Sequence, residues 1–366
     1  MRVLFAGGGT GGHIYPALAL ARYLQEADGA EVIFAGTERG MEKEIIPAAG
    51  FGLELVPVVG LERRLSLQTG RALFLAASGV MTARRMIKKF RPDIVVGTGG
   101  YVAGPVVLAA VLARIPTVIH EQNAIPGFTN VVLSRMANRV CLSFSDSARY
   151  FPRPQKTVLT GNPRASEAAL AANEPELPGK LIADVPLLLC VGGSHGAARL
   201  NEAFAGSVAH VLSACDAQIV YVTGKRYFAD INREMEPLFS RFPRRLQVLP
   251  YHPDLPALLN RADLVVSRAG ATTLAEITAL GVPAVLVPSP NVTKNHQEYN
   301  ARALFDHGAA VLLRENDLST DGLAKLLAGL LSDRPHLQEM AAACRALGVP
   351  DAAERMASVI RQLISK

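Results

Sequence analysis

His13 closes a run, Gly7 to Gly12, in which five of six positions are glycine and the other is Thr10. Glycine lets backbone turn tightly and approach a ligand, and a helix starting there offers unpaired N–H groups with a partial positive charge. That combination suits an anionic or sugar-phosphate ligand. His13, a side chain that ordinarily titrates at ~6.5, stands at its edge. The run also satisfies G-x-G-x-x-G through Gly7, Gly9 and Gly12, which opens a dinucleotide reading. A dinucleotide needs an acid after the second strand for the ribose; Glu38, between Thr37 and Arg39, is the only nearby candidate and makes no clean match.

Further loops carry chemistry. Gly97-Thr98-Gly99-Gly100-Tyr101-Val102-Ala103-Gly104-Pro105 follows a strand and, alone, reads as an ordinary strand-to-helix turn. His120, Glu121, Gln122 and Asn123 come at the carboxyl end of the apolar run Thr117-Val118-Ile119. Four consecutive polar side chains there are expensive to bury and are expected to face a ligand crevice. Gly192-Gly193-Ser194-His195-Gly196-Ala197 repeats the glycine cradle with a serine hydroxyl added. Ser267 to Glu276 leads from a strand through small residues into a helix start, where Glu276 is placed to accept from a ribose diol; an acid serving the helix dipole is the alternative. Gln297 and Asn300, three apart on a helix, could read sugar hydroxyls. No D-x-D occurs, so a metal held by paired aspartates is not indicated.

The elements that must position these loops alternate along the chain. Short β-rich runs (Arg2–Ala6, Val32–Gly36, Ile94–Gly97, Thr117–Ile119, Arg139–Leu142) are separated by Ala- and Leu-rich stretches, the pattern of strand–helix units on a parallel sheet. Phe151 to Lys180 reads as loops. A second series then starts with Pro186–Val191 and continues through Ile219–Val222, Leu264–Ser267 and Ala284–Pro288. With 366 residues, two domains are expected, 1–161 and 162–349, with a terminal helix 350–366 packing back on the first.

Composition narrows the class. Four scattered cysteines without a C-x-x-C pair argue against a disulfide scaffold or zinc site and suit a reducing compartment. No signal peptide is visible, and the apolar stretch Val102–Ile119 is broken by Pro105, Arg114 and Pro116, so a soluble protein is expected. Between Leu61 and Arg91 eight Lys and Arg residues face one acid, Glu62, and interleave with Ala72-Leu73-Phe74-Leu75-Ala76-Ala77. A basic rim around an apolar face suits an anionic membrane surface, and a core-facing helix with a solvated basic side is the plainer alternative. No nucleic-acid module accompanies the charge, so nucleic acid is not an expected partner.

Seven motifs in order, G-G-T-G-G-H, G-T-G-G-Y-x-x-G-P, H-E-Q-N, G-N-P, G-G-S-H-G-A, S-R-A-G-x-T-T-x-x-E and N-H-Q-x-x-N-A, span Val3 to about Ala310. In them the chain resembles the MurG family of peptidoglycan glycosyltransferases. The resemblance implies an α/β protein of the GT-B class, two Rossmann-like parallel-sheet domains facing across a cleft. The first domain would take lipid I, the undecaprenyl-pyrophosphoryl-muramoyl-pentapeptide acceptor, and the second UDP-GlcNAc. Inverting transfer of GlcNAc to the acceptor 4-hydroxyl would give lipid II, with no metal and no cofactor. By the same resemblance Thr10, Gly11, Gly12 and Asn123 would line the acceptor half. Ser194, Ala271, Thr272, Thr273, Leu274, Glu276 and Gln297 would hold the nucleotide sugar, and His252 falls where the family contacts uracil largely through backbone. Where the family usually reads G-N-P-V-R this chain has Gly161-Asn162-Pro163-Arg164-Ala165, so Arg164, the candidate diphosphate contact, comes one place early. His13 is the candidate base and Glu121 its rival. A lipid-linked acceptor would put the protein on the cytoplasmic face of the cell membrane, peripherally, through segment 61–91. The other readings are transfer to a different lipid acceptor and a non-catalytic nucleotide-sugar-binding subunit.

Overall fold

The computed structural model describes residues 1–58, 67–171, 181–192, 197–252 and 254–365, with backbone only for 67–76. They form two units, Met1–Ser166 with Asp351–Lys366, and Glu167–Pro350.

The first unit carries β1 (Arg2–Gly7), β2 (Glu31–Gly36), β3 (Gly52–Leu55), β4 (Ile94–Gly99), β5 (Thr117–Glu121), β6 (Arg139–Leu142) and β7 (Thr157–Leu159). They pair in parallel in the order β3-β2-β1-β4-β5-β6-β7. The central strands β4 and β5 are buried throughout, and β1 from Val3 on, because helices cover both faces of the sheet. Strand order reverses between β1 and β4, which opens a crevice beyond their carboxyl ends. There the pairing slips between Ala6 and Gly7, so that Ala6 meets Gly97 but Gly7 meets Gly99.

The second unit carries β8 (Leu187–Val191), β9 (Gln218–Val222), β10 (Leu246–Leu249), β11 (Leu264–Ser267), β12 (Ala284–Leu286) and β13 (Ala310–Leu312), again parallel, in the order β10-β9-β8-β11-β12-β13. Its reversal falls between β8 and β11.

Where the sequence suggested only loops between Phe151 and Lys180, the structure has β7 and a helix, Arg164–Ala171. A three-residue edge strand and a two-turn helix are too short to print a period. Pattern reading also passed over β3, β10 and β13, which end their sheets and keep partly exposed residues.

The terminal helix, Ala352–Ile364, packs in the first unit against the helix Gly11–Asp28. Met356, Ala357 and Ile360 are buried in one core with Val3, Phe5, Leu20 and Leu24. The two helices are tied by the Arg361–Asp28 ion pair at 3.1 Å and by Tyr23, which donates to Glu354, itself paired at 2.9 Å with Arg361 on the same helix. The helix Leu67–Phe90 buries Ala83, Met86 and Ile87 while Arg84, Arg85 and Lys88 stay exposed. Residues 61–66 of the basic segment lie outside the described residues. Among the described residues no helix is long and apolar enough to cross a membrane.

Ile360 is fully buried, so Ile360→Ala should cost about 2–4 kcal/mol of stability in urea denaturation. A loss below about 0.5 kcal/mol would mean that the terminal helix contributes little to the core.

Candidate active site

The first glycine run is the turn from β1 into the helix Gly11–Asp28. Its shape is set from below by Glu42, a residue that pattern reading passed over. Glu42 is fully buried; its Oε2 accepts from Gly9 N at 2.8 Å and its Oε1 from Thr37 N at 2.9 Å and Thr37 Oγ1 at 2.7 Å. Burial opposes its charge, but the bonds from Thr37 and Gly9 outweigh burial and hold its carboxyl below the usual carboxylate range. A Cβ at Gly8 or Gly40 would overlap the carboxylate, and one at Gly36 would lie 2.6 Å from Glu42 Cγ. The sequence signal was an acid two residues after Gly40, in the stretch that follows β2 and Gly36, and Glu38 drew the attention instead.

His13 sits half-buried on the first turn. Its Nδ1 lies 3.1 Å from the Gly8 carbonyl oxygen and 3.2 Å from Thr10 Oγ1. A carbonyl only accepts, so Nδ1 carries the hydrogen and the lone pair is on Nε2. The second glycine turn packs against this ring, since a Cβ at Gly99 would stand 2.7 Å from His13 Cδ2, and one at Gly100 would overlap the Gly8 carbonyl. Thr98 Oγ1 donates to the His13 carbonyl at 2.9 Å. The turn read as ordinary is therefore the wall that holds His13.

The first three side chains of the polar run at the end of β5 face inward, and Asn123 is half-buried. His120, Glu121 and Gln122 are each at most 1 % exposed. Gln122 Nε2 donates to Thr98 O at 2.7 Å and lies 3.2 Å from His120 Nδ1, while His120 Nε2 faces Gly161 O at 3.2 Å. Glu121 Oε1 accepts from Asn123 N at 3.0 Å and Asn123 Nδ2 at 3.3 Å, and its Oε2 accepts from Gly127 N at 3.0 Å and Asn130 Nδ2 at 2.8 Å. Four N–H donors occupy both oxygens, so Glu121 is the clamp of loop 122–127 and a poor base. Most of the cost of burial is met by hydrogen bonds within the chain, with Gln122 Oε1 and Asn130 Oδ1 left without a partner among the described residues.

Thr10, Gly11, Gly12 and His13 thus form one helix start, with Glu121 and Asn123 bonded to each other two strands away. Arg164 places its guanidinium 5.8 Å over the ring of Tyr15, a part-exposed side chain that lies against Gly11.

In the second unit, Ala271, Thr272, Thr273, Leu274 and Glu276 share the helix Ala271–Leu280, which begins at Gly270 beyond β11 without a side-chain cap. Thr272 Oγ1 is buried and has no hydrogen-bond partner among the described residues. Glu276 is 3 % exposed. Gln297 Oε1 accepts from Ser289 N at 2.9 Å beyond β12, which turns its amide nitrogen outward from that bond, and Asn300 Nδ2 donates to Ala269 O at 3.2 Å. Uncapped N–H groups, a positive dipole end and an unpartnered hydroxyl at one helix start suit an anionic group. His252 donates from Nδ1 to Asp254 O at 2.8 Å, so its side chain serves its own loop. Ser194 lies outside the described residues.

The two halves match the glycosyltransferase family 28 N-terminal domain over residues 3–142 and the C-terminal domain of the same family over 187–356. A protein of Natranaerobius thermophilus named UDP-N-acetylglucosamine–N-acetylmuramyl-(pentapeptide) pyrophosphoryl-undecaprenol N-acetylglucosamine transferase is 43 % identical over the whole of both chains. One of the same name from Lactiplantibacillus plantarum is 44 % identical, again over the whole of both. The crystal structure of Acinetobacter baumannii MurG superposes with a TM-score of 0.79 at 33 % identity, covering 99 % of each chain. The chain belongs to the MurG family of glycosyltransferases. A UDP-GlcNAc 2-epimerase from Neisseria meningitidis, 14 % identical with a TM-score of 0.69 over 99 % of this chain and 100 % of the other, shares the fold. Among the family's motifs in this chain, H-E-Q-N therefore builds the frame of the first unit, and G-G-T-G-G-H presents its titratable ring.

Burial lowers the His120 pKa from 6.5 to about 4, with the Gly161 bond opposing and His13 adding slightly. The unfolded chain takes up this proton near 6.5 and the folded chain only near 4, so stability is complete above 6.5 and is lost as pH falls between the two values. The loss should reach roughly 3 kcal/mol at pH 4 for this group. Urea unfolding of His120→Gln should show a flatter dependence over that window; an unchanged slope would mean that His120 does not carry it.

Proposed function

We propose that this chain transfers N-acetylglucosamine from UDP-GlcNAc to the 4-hydroxyl of the muramoyl sugar of lipid I, forming lipid II with inversion at the anomeric carbon. The observation that carries this is identity above 40 % along the entire chain to transferases so named, with both strand–loop–helix units in place.

In this reading the first unit receives the acceptor and the second the nucleotide sugar. His13 Nε2 takes the proton of the acceptor hydroxyl as its oxygen bonds to the anomeric carbon and the bond from that carbon to UDP breaks. Charge then grows on the departing diphosphate. The helix start at Ala271–Thr273 supplies N–H groups, the buried Thr272 hydroxyl and a dipole for it, and Ser194 adds a hydroxyl. Glu276 accepts from the ribose diol, Gln297 binds sugar hydroxyls through its amide nitrogen, and backbone near His252 holds the base. With these donors the transfer proceeds without a metal. Arg164, held over Tyr15 beside the loop, faces the acceptor's diphosphate. The exposed Arg84, Arg85 and Lys88 dock the protein on the anionic cytoplasmic face of the membrane, where the acceptor's lipid is anchored.

UDP release from UDP-GlcNAc with a short-chain lipid I analogue tests the reaction. His13→Ala should lower kcat by about 10²–10⁴-fold with KM for UDP-GlcNAc unchanged. Near-normal turnover in that variant would remove His13 as base.

Sedimentation with vesicles containing anionic lipid tests the docking face. Binding should fall as salt rises from about 0.01 to 1 M, and more steeply for the native chain than for Arg84→Ala/Arg85→Ala/Lys88→Ala. Equal binding at both salts would count against electrostatic docking.

A further inference from the structure

The peptide group between Gly8 and Gly9 is held from both sides. Its N–H, on Gly9, donates to Glu42 Oε2 at 2.8 Å, and its carbonyl, on Gly8, faces His13 Nδ1 at 3.1 Å. The bond is trans, so N–H and C=O point in opposite directions. Carboxylate, peptide and imidazole therefore form one hydrogen-bonded line that ends at the Nε2 lone pair. We propose that Glu42 is a positioning residue for the transfer, acting on His13 through the Gly8–Gly9 peptide; the proposal rests on His13 being the base.

A negative charge at the N–H end polarises the peptide and makes its carbonyl a stronger acceptor. That fixes the Nδ1–H tautomer, aims Nε2, and stabilises the imidazolium that forms when the acceptor proton arrives. In a Ser-His-Asp triad a carboxylate does this by direct contact with Nδ1, and here a peptide group stands between. The line is held in place along its length. Gly8 and Gly40 leave room for the carboxylate, Thr37 grips its other oxygen, Gly100 backs the Gly8 carbonyl and Gly99 the ring. Among the described residues every partner of Glu42 is a neutral N–H or O–H, so its charge is not cancelled by a cation at contact. His120 also bears on His13 but is buried and neutral at working pH.

A merely structural Glu42 would affect stability, or all kinetic constants alike. A positioning role predicts a particular pattern for the full-length enzyme with UDP-GlcNAc and a short-chain lipid I analogue. Glu42→Gln, which keeps the shape and removes the charge, should lower kcat about 10–100-fold with KM for UDP-GlcNAc unchanged. The acid limb of kcat/KM should move to lower pH by roughly one unit, because the imidazolium loses a stabilising charge. The ¹⁵N resonances of the His13 ring, assigned by their loss in His13→Ala, should titrate lower by the same amount. Glu42→Asp, if its shorter carboxylate still reaches Gly9 N, should recover part of kcat and the native limb. Thr37→Val, a milder change that removes one donor and leaves the carboxylate in place, should be fully folded; with one hydrogen bond fewer on the carboxylate, more of its charge falls on the peptide, and the limb should move slightly upward.

In the His13→Ala background Glu42→Gln should cost nothing further. If it costs the same factor with and without His13, or if the acid limb and the ¹⁵N titration stay put in Glu42→Gln, the relay is overturned while His13 remains the base. Should Glu42→Gln fail to fold, an unmoved ¹⁵N titration in Thr37→Val overturns it. If His13→Ala itself keeps turnover, the base assignment has failed instead; the ¹⁵N shift then still reports whether carboxylate and ring are coupled.

Discussion

A buried carboxylate must collect hydrogen bonds or lose its charge, and the first unit is arranged around one that collects them. Glu42 reaches under the turn at the end of β1 and takes Gly9 N–H and both donors of Thr37. To admit it, three backbone positions around it must lack a Cβ, namely Gly8, Gly36 and Gly40. Once it is in place, the Gly8–Gly9 peptide has one orientation, and the Gly8 carbonyl selects the tautomer of His13. Glycine in this loop is thus as much a matter of what lies beneath the chain as of a ligand above it.

The same economy holds one layer further out. Gln122 bonds Thr98 O, Thr98 bonds the His13 carbonyl, and His120 spans to Gly161, so the carboxyl ends of β1, β4 and β5 and the loop after β7 are stitched by side chains. A rigid crevice needs such stitching, because loops beyond a parallel sheet have no ladder of their own. Glu121 closes it by holding the loop through Gly127.

Much of this was legible in the sequence. Central strands announced themselves as apolar runs because both their faces are covered, whereas β3, β7, β10 and β13 are short and half-wet and printed no pattern. His13 and Asn123 stood out as polar residues just beyond the carboxyl ends of strands, Glu276 and Gln297 as polar residues near helix starts, and Thr272 entered only with the family resemblance. Pattern could not tell which polar groups are satisfied within the chain: Glu121 and Asn123, adjacent in the same polar run, bond each other. Glu42 was hidden for the same reason, since its partners, two backbone N–H groups and the Thr37 hydroxyl, are brought to it by the pairing of β1 with β2 and by the turn at Gly36.

Two copies of one strand–loop–helix design need not share a ligand. At the first, Gly9 N–H is taken by a carboxylate, and an anion placed directly over it would meet that charge. At the second, the helix from Ala271 starts uncapped, with no acid in its first turn and a buried Thr272 hydroxyl that no described residue satisfies. An anion there gains N–H donors and a dipole and meets no opposing carboxylate in that turn. The two helix starts thus differ in whether a buried carboxylate already takes a backbone N–H of the turn.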